Sequence, residues 1–390
     1  MSPTPDFPPK LTPHDPRVLS KTATINGKKI HYLIGAPAPP TAGDSGPPAR
    51  ANLESSSASA IDAVSQPRGT VLLVHGWPDL SFGWRYQVPF LLSLGLRVIV
   101  PDLPGFGRSD SPQELTAYSY KNVTRDLLEL VTQNVPGGKA QIEKEGGIIV
   151  GGHDWGGAVA WRFALWFPDL TRAVFSVCTP FWAPRAGGYM SLQQIVDAVL
   201  PNFRYQLQLS GPEVEAKVKG EEKIRQFLSG VYEAKGPNGE RVFTTEKGCL
   251  FENLPKMGKS PLVDDREMEY YVKEVVGNDK GSLRGGLNWY RTTQVNYEEE
   301  RDLIKQLEQR GKNAKTGDKI VEPPALFVQA SNDEALPPAM AEGMERYFEK
   351  KLIKKEVQAT HWAHWEQPVK VNQAIAEFLS PILKEVDAKL

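Results

Sequence analysis

The stretch Gly147-Ile148-Ile149-Val150-Gly151-Gly152-His153-Asp154-Trp155-Gly156-Gly157 decides how this chain is read. An apolar, β-prone run ends in glycines, a carboxylate stands among them, and helix-forming sequence begins at Ala158. The pattern predicts a strand, a sharp turn and a helix, with Asp154 at the apex. Glycines flank the apex because neighbours on so tight a turn have no room for a β-carbon. Two readings of Asp154 are open at this point: a nucleophile presented on the turn, or an Asp capping the following helix.

Outward from that stretch, short apolar runs recur at residues 71–74, 98–100, 173–177 and 325–329, with a weaker one at 353–357. Helical stretches such as 120–131 and 158–167 separate most of them. The alternation predicts an α/β fold, a mostly parallel sheet flanked by helices on both faces. Each run gives way to polar, Gly-rich or aromatic residues: His75-Gly76-Trp77-Pro78, then Pro101-Asp102-Leu103-Pro104-Gly105-Phe106-Gly107, the Asp154 turn, Cys178-Thr179-Pro180-Phe181, Ser331-Asn332-Asp333 and Thr360-His361-Trp362. In open parallel sheets ligands bind outside the carboxyl ends of the strands, so these segments point to one shared site.

Upstream, residues 22–33 read as a β-hairpin with Asn26-Gly27 as its turn. Residues 36–69 turn to Pro, Ala, Ser and Gly, too little apolar surface to offset ordering, and are expected to form a long mobile loop. Between Phe181 and about Lys319 the strand–helix alternation stops. Helical periodicity at 192–200, 213–227 and 265–276, interrupted by a polar stretch at 234–248, predicts an inserted helical cap over the strand ends. Residues 296–309 fit either the cap or a return to the core. The expected organisation is a core of residues 1–181 and 320–390 interrupted by a cap at 182–319, closed by a helix over 370–379.

Composition narrows the function. With 46 basic and 47 acidic residues the formal charge is −1, so no strong field exists to recruit nucleic acid or an anionic membrane. No apolar run approaches the ~20 residues that span a bilayer, and Met1 is followed by neither a basic nor an apolar leader, so a soluble protein is expected. Two cysteines, Cys178 and Cys249, make no disulfide framework and fit a reduced intracellular setting. No metal and no cofactor are expected.

An attacking carboxylate needs a hydrogen-bonding hole for developing oxyanion charge, a base for the second step, and a group orienting that base. The backbone N–H groups of Trp77 and Trp155 are candidates for the hole. His361 is the candidate base, with Asp333 as its orienter unless Asn332-Asp333 is only a turn. Of the other histidines, His14 and His31 lie early in the chain, and His75 and His153 read as braces for their loops. His364 is the rival, and His361 is preferred because it comes first after the strand. The order Asp154, Asp333, His361 is the nucleophile–acid–histidine order of α/β-hydrolases.

That the elbow carries Asp rather than Ser narrows the reaction. A carboxylate is already ionised at neutral pH (reference pKa ~3.9). Its attack on an acyl carbon would give an anhydride, whereas attack on saturated carbon gives an alkyl ester that water activated by His361 can cleave. Epoxides or alkyl halides are the expected substrates. An epoxide oxygen leaves as a basic alkoxide and wants an acid such as a phenol. The inserted segment offers tyrosines in Asn202-Phe203-Arg204-Tyr205-Gln206-Leu207 and Arg284-Gly285-Gly286-Leu287-Asn288-Trp289-Tyr290-Arg291, though in a chain of twelve tyrosines packing is the ordinary reading of each.

From Gly69 to Leu379 the chain resembles the soluble epoxide hydrolase family of the α/β-hydrolase fold. The resemblance rests on Val-His-Gly-Trp-Pro at 74–78, Asp-Leu-Pro-Gly-Phe-Gly-Arg-Ser at 102–109, Gly-His-Asp-Trp-Gly-Gly at 152–157, Thr-Pro-Phe at 179–181, Tyr-Gln-Leu at 205–207, Leu-Asn-Trp-Tyr-Arg at 287–291, and His-Trp before Glu366-x-Pro368. It implies an epoxide hydrolase, acting on ether bonds, with Asp154 as nucleophile, His361 as base and Asp333 as its partner. It also implies Tyr205 and Tyr290 as the epoxide-activating pair, and Gln206 and Trp362 as pocket lining. The partners implied are a small apolar epoxide and water. Neither the phosphatase domain of some members nor the membrane anchor of others is expected here. The segments 36–69 and 234–248 depart from a compact member of the family.

The nearest alternative is a haloalkane dehalogenase using the same Asp154 and His361, with Trp155 as a halide donor. Such enzymes place another polar residue at Trp77 or use a cap Trp, and lack the paired tyrosines. A ligand receptor of the same fold without turnover is a second alternative. The end Ala388-Lys389-Leu390 resembles a peroxisomal address, so a cytoplasmic or peroxisomal location is expected. The oligomeric state is open, a homodimer being one arrangement compatible with the sequence.

Overall fold

The computed structural model describes residues 7–37, 67–278 and 282–387. Most of the expected loop at 36–69, and the terminal tripeptide 388–390, lie outside these residues. Eight strands form one sheet: β1 (Leu19–Ile25), β2 (Lys28–Gly35), β3 (Thr70–Val74), β4 (Arg97–Pro101), β5 (Ile148–His153), β6 (Thr171–Val177), β9 (Ala325–Ala330) and β10 (Ile353–Val357). Between β6 and β9 the chain adds a separate two-stranded hairpin, β7 (Phe243–Thr244) and β8 (Gly248–Cys249). The order across the main sheet is β1-β2-β4-β3-β5-β6-β9-β10. The first hairpin joins antiparallel through β2 and β4, and all pairings from β4 to β10 are parallel.

Local sequence explains these elements. Asn26 and Gly27 both have positive φ, 48° and 79°, which a two-residue hairpin turn of the twist-matching kind requires. β3, β4 and β5 are buried along their whole length, as strands covered on both faces must be, and are correspondingly continuous in apolar character. β10 has exposed Lys354, Lys355 and Glu356 because it is an edge strand, which is why its signal in the sequence is weak.

The segment between β6 and β9 is mostly helical. The periodic stretch 213–227 is two helices, Glu213–Lys217 and Glu221–Val231, broken where Gly220 takes a φ of 80°. The polar stretch 234–248 holds β7 and the start of β8. The segment lies against the loops that follow β3 and β4. Tyr232 donates its hydroxyl to the Pro78 carbonyl (2.6 Å), Trp289 its indole N–H to Pro104 (3.0 Å), and Asn278 its amide to Gly107 (2.7 Å). Arg108 forks onto Glu274. The helix Thr293–Gln309 packs on core helices instead: Glu300 pairs with Arg162 of the helix Trp155–Trp166, and Asp302 with Lys121. Among the described residues no helix is long and apolar enough to cross a membrane.

Candidate active site

β5 stops at His153, and Asp154 turns the chain into the helix Trp155–Trp166 with φ 52° and ψ −125°. A non-glycine residue in that conformation stores roughly 1–3 kcal/mol of strain, which the surroundings must hold. They do so by close approach. A β-carbon at Gly156 would collide with the Val74 carbonyl, and one at Gly152 with the Gly156 carbonyl. Thr179 Oγ1 also donates to the Asp154 carbonyl at 2.7 Å. Although Asp154 occupies the N-cap position, its side chain makes no capping bond. The helix-cap reading therefore does not describe it.

The Asp154 carboxylate instead accepts the backbone N–H of Trp77 on Oδ1 at 2.7 Å, and its Oδ2 lies 3.5 Å from His361 Nε2. Of the two amides expected to form the hole, Trp77 makes this bond. Among the described residues none forms from the Trp155 amide, which opens the helix one residue on. His361 Nδ1 is 2.7 Å from Asp333 Oδ2. Asp333 is 3% exposed, and its Oδ1 accepts the amides of Ala335 and Leu336, both at 2.9 Å. Acid, imidazole and apical carboxylate thus form one continuous chain, its members drawn from the ends of β9, β10 and β5.

Burial favours the neutral form of each member, and the neighbours reverse that preference. For Asp154 the His361 hydrogen bond and charge, helped by the Trp77 N–H, hold the carboxyl below its ordinary pKa. Asp333 is likewise lowered against its burial by the His361 charge and hydrogen bond. His361, flanked by both carboxylates, is raised well above an ordinary imidazole despite burial. Around this chain the other histidines are braces. His153 donates Nε2–H to the His361 carbonyl (2.8 Å), and burial, reinforced by the His361 charge, depresses it to about 4. His75 donates Nδ1–H to the Gly76 carbonyl and accepts the Leu103 amide on Nε2. His364 is wholly enclosed, with neither ring nitrogen hydrogen-bonded, and does not reach Asp154. His31 is bound to Asp102 behind the β4 loop.

Above Asp154 lies a cavity of about 280 Å³. Trp77, Tyr205, Tyr290, His361 and Trp362 line it, so the two tyrosines face the apical carboxylate's space from the inserted segment. Their rings are 6.3 Å apart, and Tyr290 also packs edge-on against Trp77 and Trp155. Burial, with the Asp154 charge, raises both phenols above their ordinary pKa, so they are protonated at neutral pH. Gln206, expected to line the cavity, is not among the lining residues. The helix Arg204–Ser210 carries it beside Tyr205, whose hydroxyl accepts its amide at 3.3 Å. Lining residues not foreseen from the sequence are Glu233, Arg241, Phe243 and Thr245. Arg241, Phe243 and Thr245 come from the stretch read as a polar loop, where Phe243 is the only aromatic signal, and Glu233 stands just before it.

The model of the α/β-hydrolase fold family matches residues 69–368. Epoxide hydrolase srdG of Neurospora crassa is 38% identical over 96% of this chain and 99% of its own length. Bifunctional epoxide hydrolase 2 of Sus scrofa is 32% identical over 82% of this chain, which spans 53% of that longer protein. Among solved structures, Epoxide Hydrolase A from Mycobacterium thermoresistibile superposes with a TM-score of 0.68 at 23% identity, covering 93% of this chain and 98% of that one. An epoxide hydrolase from Vigna radiata gives 0.67 at 21% identity over 94% and 98%. These two likenesses concern the fold. The chain belongs to the epoxide hydrolase family of the α/β-hydrolase fold.

Proposed function

We propose that this protein hydrolyses epoxides to vicinal diols through a covalent alkyl ester on Asp154. The observation that carries the reading is the chain Asp333–His361–Asp154 ending beneath a cavity that two protonated phenols share. The inserted segment acts as a cap, bringing those phenols over the core. In the first step the ionised Asp154 attacks an epoxide carbon. The C–O bond breaks, and Tyr205 or Tyr290 gives its proton to the departing oxygen. General acid help of this kind contributes roughly 10²–10⁴-fold.

Esterification then changes the electrostatics. Asp154 loses its charge, and His361 keeps only one of the two carboxylates that hold its pKa up. The imidazolium passes its Nε2 proton to the tyrosinate left by ring opening, and the neutral imidazole becomes a base at the stage where one is needed. Nε2 takes a proton from water, the resulting hydroxide attacks the ester carbonyl, and the Trp77 N–H stabilises the oxyanion at the Oδ1 position it already serves. Collapse expels the alkoxide, which takes the proton of the newly formed carboxyl, so that the diol leaves and the Asp154 carboxylate and the His361 imidazolium are both restored. Asp333 orients the ring and balances the imidazolium.

The dehalogenase alternative finds less support. Trp155, the halide donor that reading needs, is not among the residues lining the cavity, and the inserted segment's Trp289 has its N–H committed to the Pro104 carbonyl. The covalent mechanism is tested by repeated turnover in ¹⁸O-water, followed by mass analysis of the peptide bearing Asp154. Label should enter that carboxylate; label confined to the diol would rule the ester out.

A further inference from the structure

The polar part of the cavity lining includes Glu233, Arg241, Glu334 and Thr360, none of which is among the groups that act on Asp154. Glu233 follows the helix Glu221–Val231 at a position its backbone does not suit. Its φ is 69°, and the Ala234 N–H bonds the Ser229 carbonyl (2.9 Å), closing the helix end in the turn that normally carries glycine there. A side chain kept where glycine is easier points to a use for the carboxylate.

Its neighbours leave that carboxylate able to accept. Arg241 is engaged by Glu334 through two bonds of 3.0 and 2.9 Å. The Thr360 hydroxyl has one proton to give. It lies 3.5 Å from Glu233 but makes a far shorter bond to Glu366. Burial raises the Glu233 carboxyl, against the positive charge of Arg241. The position relative to the reacting centre is fixed, because the Trp362 indole N–H, one residue past His361, holds the Val231 carbonyl at 3.0 Å.

We propose that Glu233 is a specificity residue whose carboxylate accepts a hydrogen bond from a hydroxyl, alcoholic or phenolic, at the end of the substrate remote from the epoxide. The proposal rests on the reading of Asp154 as the nucleophile that places the epoxide at the opposite end. The cavity, near the lower limit of the ~300–1,000 Å³ usual for small-molecule sites, suits a substituted aryl or short alkyl epoxide.

The test compares kcat/KM of the full-length protein for styrene oxide and its 4-hydroxymethyl and 4-carboxy derivatives. Wild type should favour the hydroxymethyl compound about tenfold over styrene oxide, the scale of one hydrogen bond to a charged group. The preference should shrink in Glu233→Gln and vanish in Glu233→Gly. The thermal midpoint of Glu233→Gly should equal or exceed wild type, since glycine suits that backbone. An unchanged preference in both variants, or a wild-type preference for the carboxy compound, would overturn the role of Glu233 alone. No diol from any of the three compounds would overturn the reading of Asp154 and this role with it.

Discussion

Replacing Asp333 by Asn should separate the two chemical steps. The exchange keeps the side chain's shape, and its oxygen can still accept the amides of Ala335 and Leu336, so the fold should survive. The change falls on the partner of His361 Nδ1. An amide there donates instead of accepting, leaves the ring proton on Nε2, and so blocks the nitrogen that must take a proton from water. The charge goes as well: unit charges ~4 Å apart at an effective dielectric of ~20 interact by about 4 kcal/mol, or about three pKa units of imidazole basicity. Ester hydrolysis should slow by roughly 10⁴-fold, the cost of the equivalent tautomer reversal in serine hydrolases. In the proposed mechanism ring opening needs only the Asp154 carboxylate and a phenol, and should slow far less. The alkyl-enzyme should therefore accumulate, seen as an intact-protein mass increased by one epoxide and as a single-turnover change in tryptophan fluorescence, since Trp77 lines the cavity. Wild-type steady-state turnover by this variant, with no adduct detected, would refute both the base and its orientation.

The same geometry sets two further outcomes. Tyr205→Phe and Tyr290→Phe should each lower the ring-opening rate by roughly tenfold to a hundredfold, and the double substitution by more, within the range for general acid catalysis; single-turnover alkylation rates check this, and equal rates in all variants would remove the phenols from the mechanism. Asp79 is buried beneath the site and accepts the Tyr271 hydroxyl (2.8 Å) and the Leu80 amide; burial pushes its carboxyl up to about 7. The folded state then holds a proton that the unfolded chain releases near ~3.9, so wild-type stability is full below that value and falls as pH rises towards 7. An Asp79→Asn variant, spared this loss, should gain thermal midpoint relative to wild type between about pH 4 and pH 7, and a difference that stays constant across that range would show that Asp79 does not titrate there.

Much of the core was legible because its signals are local. The buried parallel strands read as continuous apolar runs, and all six expected after the first hairpin occur within a few residues of their predicted ends. Asp154 was legible through its glycines, whose lack of a β-carbon is a steric demand of the turn itself. The inserted segment was less readable. Gly220 divides one periodic stretch into two helices, and the hairpin β7–β8 hides in polar sequence because two-residue strands have no period to detect.

By itself, then, the sequence determined the strand-turn-helix at Asp154, the alternation that makes the sheet, and an acid and a histidine after later strands. Only the tertiary structure decided which groups meet. It brings His361 rather than His364 against Asp154, because one loop crosses the strand ends while three residues on the chain has turned into the interior. It gives the Trp77 amide, not that of Trp155, to the carboxylate, and keeps Gln206 beside Tyr205 instead of in the cavity. It also brings Glu233 into the cavity lining. These outcomes depend on the direction in which a side chain leaves its backbone and on contacts between residues distant in the chain, and neither is carried by local periodicity.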